Sequence, residues 1–302
     1  EVLDTASVRK AGLPSVVTVH NVPPQECRQV GPDTPLSQSV KEAFRLQLVG
    51  WKNRKRLLAH RYDGVIVPSE EVQKLLVPVL GDQVIDVVGH GPTRDLQAKM
   101  APASERKPQP GEPVRLLTAG GYAPHKRQHL IPDVASRLLE KGVNFEWTVA
   151  GPSGRVAGYY ESVQSKVDRA GLRGRVHLCG AVPFGDLAKL YDSANIYVQP
   201  SVEEGFCITA LDAAAAGLPV VASPAGALAD IAEISHGRLV ESNAGALADA
   251  IFDLVDTGDW ADATATSRNV QSQFSWSNAA QSLTKRYKAL AAYDRTDVAQ
   301  SA

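Results

Sequence analysis

SVEEGFCITALDAAAAGLPVV, residues 201–221, is entered from the apolar run NIYVQPS (195–201) and passes into another, LPVVAS (218–223). Both runs are continuously apolar instead of alternating, as strands covered on two faces of a parallel sheet are. The alanine-rich run between them predicts a helix, which Gly217 and Pro219 end so that the next buried strand can start. Glu203 and Glu204 then have two readings. Acids at a helix start are favourable through the helix dipole alone. Gly205, however, lets backbone N–H groups face a ligand, while the adjacent carboxylate accepts hydrogen bonds from sugar hydroxyls. Eight residues after Glu204, roughly two helical turns, Asp212 is expected back on nearly the same face.

The same kind of run recurs along the chain at 15–20, 63–69, 83–88, 114–120, 144–151 and 175–180, separated by helical patterns. The fold class is α/β. Between Gln97 and Pro113 the texture changes to a proline-rich, mixed-charge segment without apolar period, which reads as an interdomain linker. The division expected is an N-terminal unit over 1–100, a linker over 101–113 and a larger C-terminal unit of five or six strands over 114–275. The segment from Trp276, through 294, has a helical apolar period and is expected to pack back across both units.

Composition narrows the function classes. The 302 residues carry a formal net charge of -1, which argues against nucleic acid as a partner. Cys27, Cys179 and Cys207 are odd in number and form no CxxC pair, so a cytoplasmic location is the easier reading. No run approaches the roughly 18 apolar residues of a membrane span. The chain opens on Glu1 inside a helix-like segment, so the beginning of a longer polypeptide is expected to be missing. Segment 41–61 holds seven Lys or Arg residues against one acid, with Phe44, Leu48, Trp51, Leu58 and Tyr62 on a helical stripe. Such a helix either packs its stripe on a sheet or lies on an anionic membrane at its inner face.

Ligands of open parallel sheets sit at the carboxyl ends of the strands. After the 114–120 run, Gly120 and Gly121 permit a tight turn, and Lys126 with Arg127 is expected at a helix start, a site for a phosphate or diphosphate. A solvated basic helix start is the competing reading, and the segment is not a P-loop. His20 ends SVVTVH, and His90 with Gly91 follows the 83–88 run, facing the gap between units. A structural histidine and a hinge are the alternatives there.

With these residues in view, the chain resembles the glycosyltransferases of family 4, retaining enzymes with two Rossmann-like domains in the GT-B arrangement. The likeness rests on EGFCITALDAAAAGLPVVAS, similar to that family's EGFG and AxGxPVV with two acids eight positions apart. TVHN and HGPTRD look like the subset that builds bacterial exopolysaccharides. The resemblance implies transfer of a hexosyl group from a nucleoside diphosphate sugar to a glycan or lipid-linked acceptor, with no metal and no cofactor. Glu204 would bind the transferred sugar, and the backbone of Gly205, Phe206 and Cys207 would approach sugar and diphosphate. Asp212, where the family has Glu, would meet the ribose. Lys126 would hold the diphosphate, with Arg127 compensating for Gly121 where the family has Arg. His20 would face the donor sugar, and His90 and Arg94 would lie near the cleft. The family's first strand and glycine-rich loop have no counterpart, so the N-terminal domain is expected to be incomplete. A binding or scaffold protein without catalysis, and a nucleotide-sugar epimerase, are the other readings.

Overall fold

The computed structural model describes residues 14–20, 62–81, 83–154, 156–260 and 262–292. Segment 41–61, Cys27 and the PPQE stretch lie outside the described residues. Two parallel sheets are present. The first holds β1 (Val16–Thr18), β2 (Gly64–Val67) and β3 (Ile85–Val87) in the order β1-β2-β3. The second holds β4 (Val114–Ala119), β5 (Phe145–Ala150), β6 (Val176–Gly180), β7 (Ile196–Gln199), β8 (Val220–Ala222) and β9 (Arg238–Leu239). Its order is β6-β5-β4-β7-β8-β9.

That order matters for function. From β4 the chain moves outward through β5 and β6, then returns to the other side of β4 to lay down β7, β8 and β9, with Leu116 opposite Ile196 and Leu117 opposite Tyr197. The connections therefore diverge between β4 and β7. In open α/β sheets a crevice forms at the carboxyl ends of such a pair.

The apolar runs became strands because helices cover both faces of the sheet. Leu116 joins a core with Ile131, Val134 and Leu138 of α3 (Ile131–Glu140), Val163 of α4 (Tyr159–Arg169) and Ile251 of α8 (Ala244–Thr257). Its neighbour Leu117 faces the opposite core, with Tyr191 of α5 (Phe184–Ser193), Leu211 of α6 (Ile208–Ala215), Ile231 of α7 (Leu228–Ile234) and Val270 of α9 (Ala263–Gln273). Successive side chains point to opposite faces, so both must be apolar. The strand β9 was not anticipated, because two residues at a sheet edge, with Leu239 44% exposed, leave no apolar run to read.

Two further helices lie between the sheets in sequence, α1 (Glu70–Leu80) and the short α2 (Arg94–Gln97). The segment read as a plain linker has a buried anchor. Arg106 is 3% exposed, and its guanidinium donates to the carbonyls of Tyr191 and Asp192 in the last turn of α5 and to that of Ala216 at the end of α6. It thus satisfies carbonyls that helix ends leave open, with charge of the favourable sign.

The last helix, α10 (Trp276–Ala291), reaches back to the first sheet. Arg286 pairs with Asp86 at 2.8 Å and donates to the carbonyl of Asp63 at 3.0 Å. Trp276 donates from its indole to the carbonyl of Pro92 at 2.8 Å. Gly91 is needed there, since a Cβ on it would lie 2.6 Å from Trp276.

Candidate functional site

The loop leaving β4 does not start a helix at Lys126, as the sequence suggested. Pro124–Lys126 form a 3-10 turn, Arg127 takes a left-handed conformation at φ 53°, Gln128–Leu130 form a second turn, and α3 begins only at Ile131. The buried side chain of Gln128 holds this shape by donating to the carbonyl of Gly121 at 3.0 Å and accepting from the Ala123 N–H at 3.3 Å. The stem of Lys126 packs 3.7 Å from where a Gly120 Cβ would lie. Its ammonium ends 2.7 Å from Glu204 Oε1. Arg127 turns away, donating to the carbonyl of Ser242 at 2.6 Å.

The loop leaving β7 meets it. The Val202 N–H donates to the carbonyl of His125 at 2.9 Å, stitching the two loops together. Glu204 is buried in the turn, ahead of α6, which begins at Ile208 with Cys207 as its cap at φ 78°. Glu204 and Asp212 are therefore not two turns apart on one helix; Gly205 and the left-handed Cys207 separate them. Glu204 Oε1 accepts from Lys126, from the Ser201 hydroxyl at 2.7 Å and from Gln199 Nε2 at 3.3 Å.

Burial lowers the affinity of Lys126 for its proton, but the Glu204 carboxylate and the hydrogen bond to it outweigh that and hold the lysine above its usual range. His125 is pushed below the usual histidine range by burial and by Lys126 beside it, partly offset by Glu204. The Cys207 thiol is pushed up to about 12 by burial and by the charge of Glu204, which keeps it a protonated, inert group.

The first sheet supplies the facing wall. Ser69, the cap of α1, donates from its hydroxyl to the carbonyl of Gly205 at 2.7 Å. His20 and His90 stack at 5.7 Å, and His90 meets the Phe206 ring edge-on at 4.9 Å. Burial and the neighbouring His20 hold His90 below its usual range. A cavity of about 150 Å³ opens beside it, lined by Gly89, His90, Gln273, Phe274, Ser275 and Asn278, among others. Arg94 is exposed at the start of α2, and no hydrogen bond of its side chain reaches the Glu204 cluster.

Asp212, expected to meet the ribose, is bonded to the loop after β3. It is 2% exposed, and its two oxygens accept from the backbone N–H and the hydroxyl of Thr93, at 2.7 and 2.8 Å. Burial raises its carboxyl above the ordinary aspartate range, against the Thr93 and Gln97 hydrogen bonds. An aspartate is one methylene shorter than glutamate, and here it spans to the loop of the first sheet.

Sequence reading passed over Ser69, Thr93, His125, Gln199 and Ser201. Polar residues at the carboxyl ends of predicted strands were the available signal for Ser69, Gln199 and Ser201. Among the described residues no group of three or more His, Cys, Asp or Glu side chains is arranged to hold a metal ion, and no helix is long and apolar enough to cross a membrane.

Known proteins share this architecture. The structure of sucrose-phosphate synthase from Thermosynechococcus elongatus matches 95% of this chain and 71% of its own, with a TM-score of 0.69 at 22% identity. HepE from Anabaena, solved in complex with UDP and glucose, matches 95% of this chain and 75% of its own, with a TM-score of 0.68 at 18% identity. The shared fold is the GT-B arrangement of two α/β units. In sequence, D-inositol 3-phosphate glycosyltransferase of Corynebacterium urealyticum is 30% identical over 171 residues, 55% of this chain and 40% of that protein. The 2-deoxystreptamine glucosyltransferase of Streptomyces kanamyceticus is 28% identical over 237 residues, 74% of this chain and 56% of that protein. The chain thus spans about half the length of these curated relatives. Residues 113–257, which hold Lys126, Glu204 and Asp212, match the family model described as Glycosyl transferases group 1.

Proposed function

We propose that the chain is a retaining glycosyltransferase, transferring a hexosyl group from a nucleoside diphosphate sugar to a glycan or lipid-linked acceptor in the cytoplasm. The observation that carries this reading is the Lys126–Glu204 pair, a cation and a carboxylate 2.7 Å apart in the loops after β4 and β7, where the sheet connections diverge. A diphosphate needs a cation and a sugar needs hydrogen-bond acceptors, and both stand at the crevice the topology creates.

In this mechanism the bond between the anomeric carbon and the diphosphate breaks and negative charge grows on the departing oxygens. Lys126 stabilises that charge as it develops. Glu204 accepts hydroxyls of the sugar and balances the positive charge on its ring. The acceptor hydroxyl attacks from the face the diphosphate leaves, and its proton passes to the diphosphate. His20 and His90 stand on the opposite wall, where the donor sugar is held. The complexes of HepE with UDP and with UDP-glucose support a nucleoside diphosphate sugar as donor for this fold.

The test is calorimetric titration of the chain with UDP, GDP and ADP. Binding of one of them supports the donor site, and no heat with any would overturn it. Turnover of a labelled donor sugar separates a transferase from a protein that only binds. A protein that binds the sugar nucleotide without turning it over is the second reading, favoured by Asp212 and Gly121 where the family resemblance has Glu and Arg. Contact of 41–61 with an anionic membrane is a separate proposal, checked by liposome association with and without its basic residues.

A further inference from the structure

In β7 and just past it, three polar side chains point into the protein. Tyr197 is 0% exposed, Gln199 1% and Ser201 0%. An amide buried without partners costs on the order of 2 kcal/mol or more, so Gln199 is not a packing residue. Its partners form a chain whose direction can be read. A carboxylate accepts and never donates. Glu204 Oε1 therefore takes the Ser201 proton at 2.7 Å and the Gln199 amide N–H at 3.3 Å. Ser201, having donated to Glu204, accepts from Gln199 Nε2 at 2.6 Å. Gln199 Oε1 in turn accepts from the Tyr197 hydroxyl at 2.8 Å. The Ser201 and Gln199 donors both point toward Glu204, while the single Tyr197 proton is shared between Gln199 Oε1 and the carbonyl of Ala119 at 3.0 Å.

Together with Lys126, three donors converge on one carboxylate oxygen. No hydrogen bond to the other, Oε2, is present among the described residues. A glutamate held by a lysine alone would pivot about that contact, since both side chains are long and rotatable. Ser201 and Gln199 come from the rigid end of a central strand and remove that freedom.

We propose that Ser201 and Gln199 are positioning residues, which fix Glu204 Oε1 against Lys126 so that Oε2 is presented to the hydroxyls of the transferred sugar. The proposal rests on the donor-site reading above. It separates two ligand contacts: the sugar is sensed through the Ser201–Gln199 network, and the nucleotide is not.

The experiment measures two affinities by calorimetry on the whole chain, for a nucleoside diphosphate and for its sugar ester. The variants are Ser201→Ala, Gln199→Met and Ser201→Thr. Removing a hydrogen bond to a charged group is expected to weaken the sugar ester by about tenfold, with nucleotide affinity kept within about twofold. Ser201→Thr, which keeps the hydroxyl, is expected to restore wild-type values. Ser201→Ala is the milder change and decides the matter should Gln199→Met fail to fold. Equal losses for both ligands, or no loss for either, would overturn the proposal while leaving the donor site standing. A wild-type chain that binds the nucleotide but not its sugar ester overturns it as well. A wild-type chain that binds no nucleotide at all removes the donor-site reading and this proposal with it.

Discussion

Thr93 gives its backbone N–H and its hydroxyl to the two carboxylate oxygens of Asp212, at 2.7 and 2.8 Å, across 119 positions of sequence. Thr93 also caps α2, so the bond ties the loop after β3 to the middle of α6. The residue on which the family resemblance placed ribose binding also bonds the helix behind the second sheet to the loop of the first.

Thr93→Val removes the hydroxyl and takes one hydrogen bond from a buried carboxylate. The expected loss is about 1–3 kcal/mol of stability. Denaturant unfolding measures it. Nucleotide affinity by titration is expected to change little in comparison, and a large affinity loss with unchanged stability would return Asp212 to the nucleotide.

The Lys126–Glu204 pair predicts a pH dependence with a definite sign. Because Lys126 holds its proton more tightly in the folded chain than in the unfolded one, the pair contributes fully below the unfolded lysine value of about 10.4 and is lost as pH rises through the higher folded value. The stability difference between wild type and Lys126→Met is expected to be constant at neutral pH and to shrink above about pH 10.4. Denaturant curves on both proteins through the alkaline range check it, since other lysines and tyrosines titrate equally in each. A difference that grows with pH would contradict the pairing.

Arg106 closes the ends of α5 and α6 at once. Arg106→Met keeps much of the buried stem and strips the donors, and the expected cost is about 3 kcal/mol, from several carbonyls left without partners. Arg106→Lys is expected to recover only part of it, because an ammonium cannot reproduce the planar fork. Thermal midpoints of the three proteins rank the effect.

Cys207 sits at φ 78°, a conformation costing a residue with a Cβ about 1–2 kcal/mol. Cys207→Val is expected to destabilise clearly, since β-branching makes that region worse. Cys207→Gly is expected to be close to neutral: relief of the strained backbone offsets the lost burial of the thiol and the greater freedom of glycine when unfolded. Unfolding midpoints decide between them.

Much of this architecture is legible one strand at a time. The run NIYVQPS announces β7 because strands covered on both faces must be apolar throughout, and Ile196–Gln199 are all buried. Lys126 and Glu204 could be found because each stands just past such a run. Their contact could not, because it depends on Pro124 and Arg127 turning the β4 loop back before α3 begins. The sequence spacing of Glu204 and Asp212 suggested one helical face, yet the left-handed Cys207 resets the chain direction between them. Likewise the bond from Ser69 to Gly205 spans 136 positions, and nothing local to either residue encodes it.

The hold of α10 on the first sheet bears on how the molecule comes into being. Asp63 and Asp86 find Arg286 200 or more positions downstream, and Gly91 waits for Trp276. Domains usually fold in order as they leave the ribosome. Here the first sheet emerges before the second and receives its clamp after it, so during synthesis the second sheet is the unit able to complete itself, and the earlier one is finished only when α10 has been released.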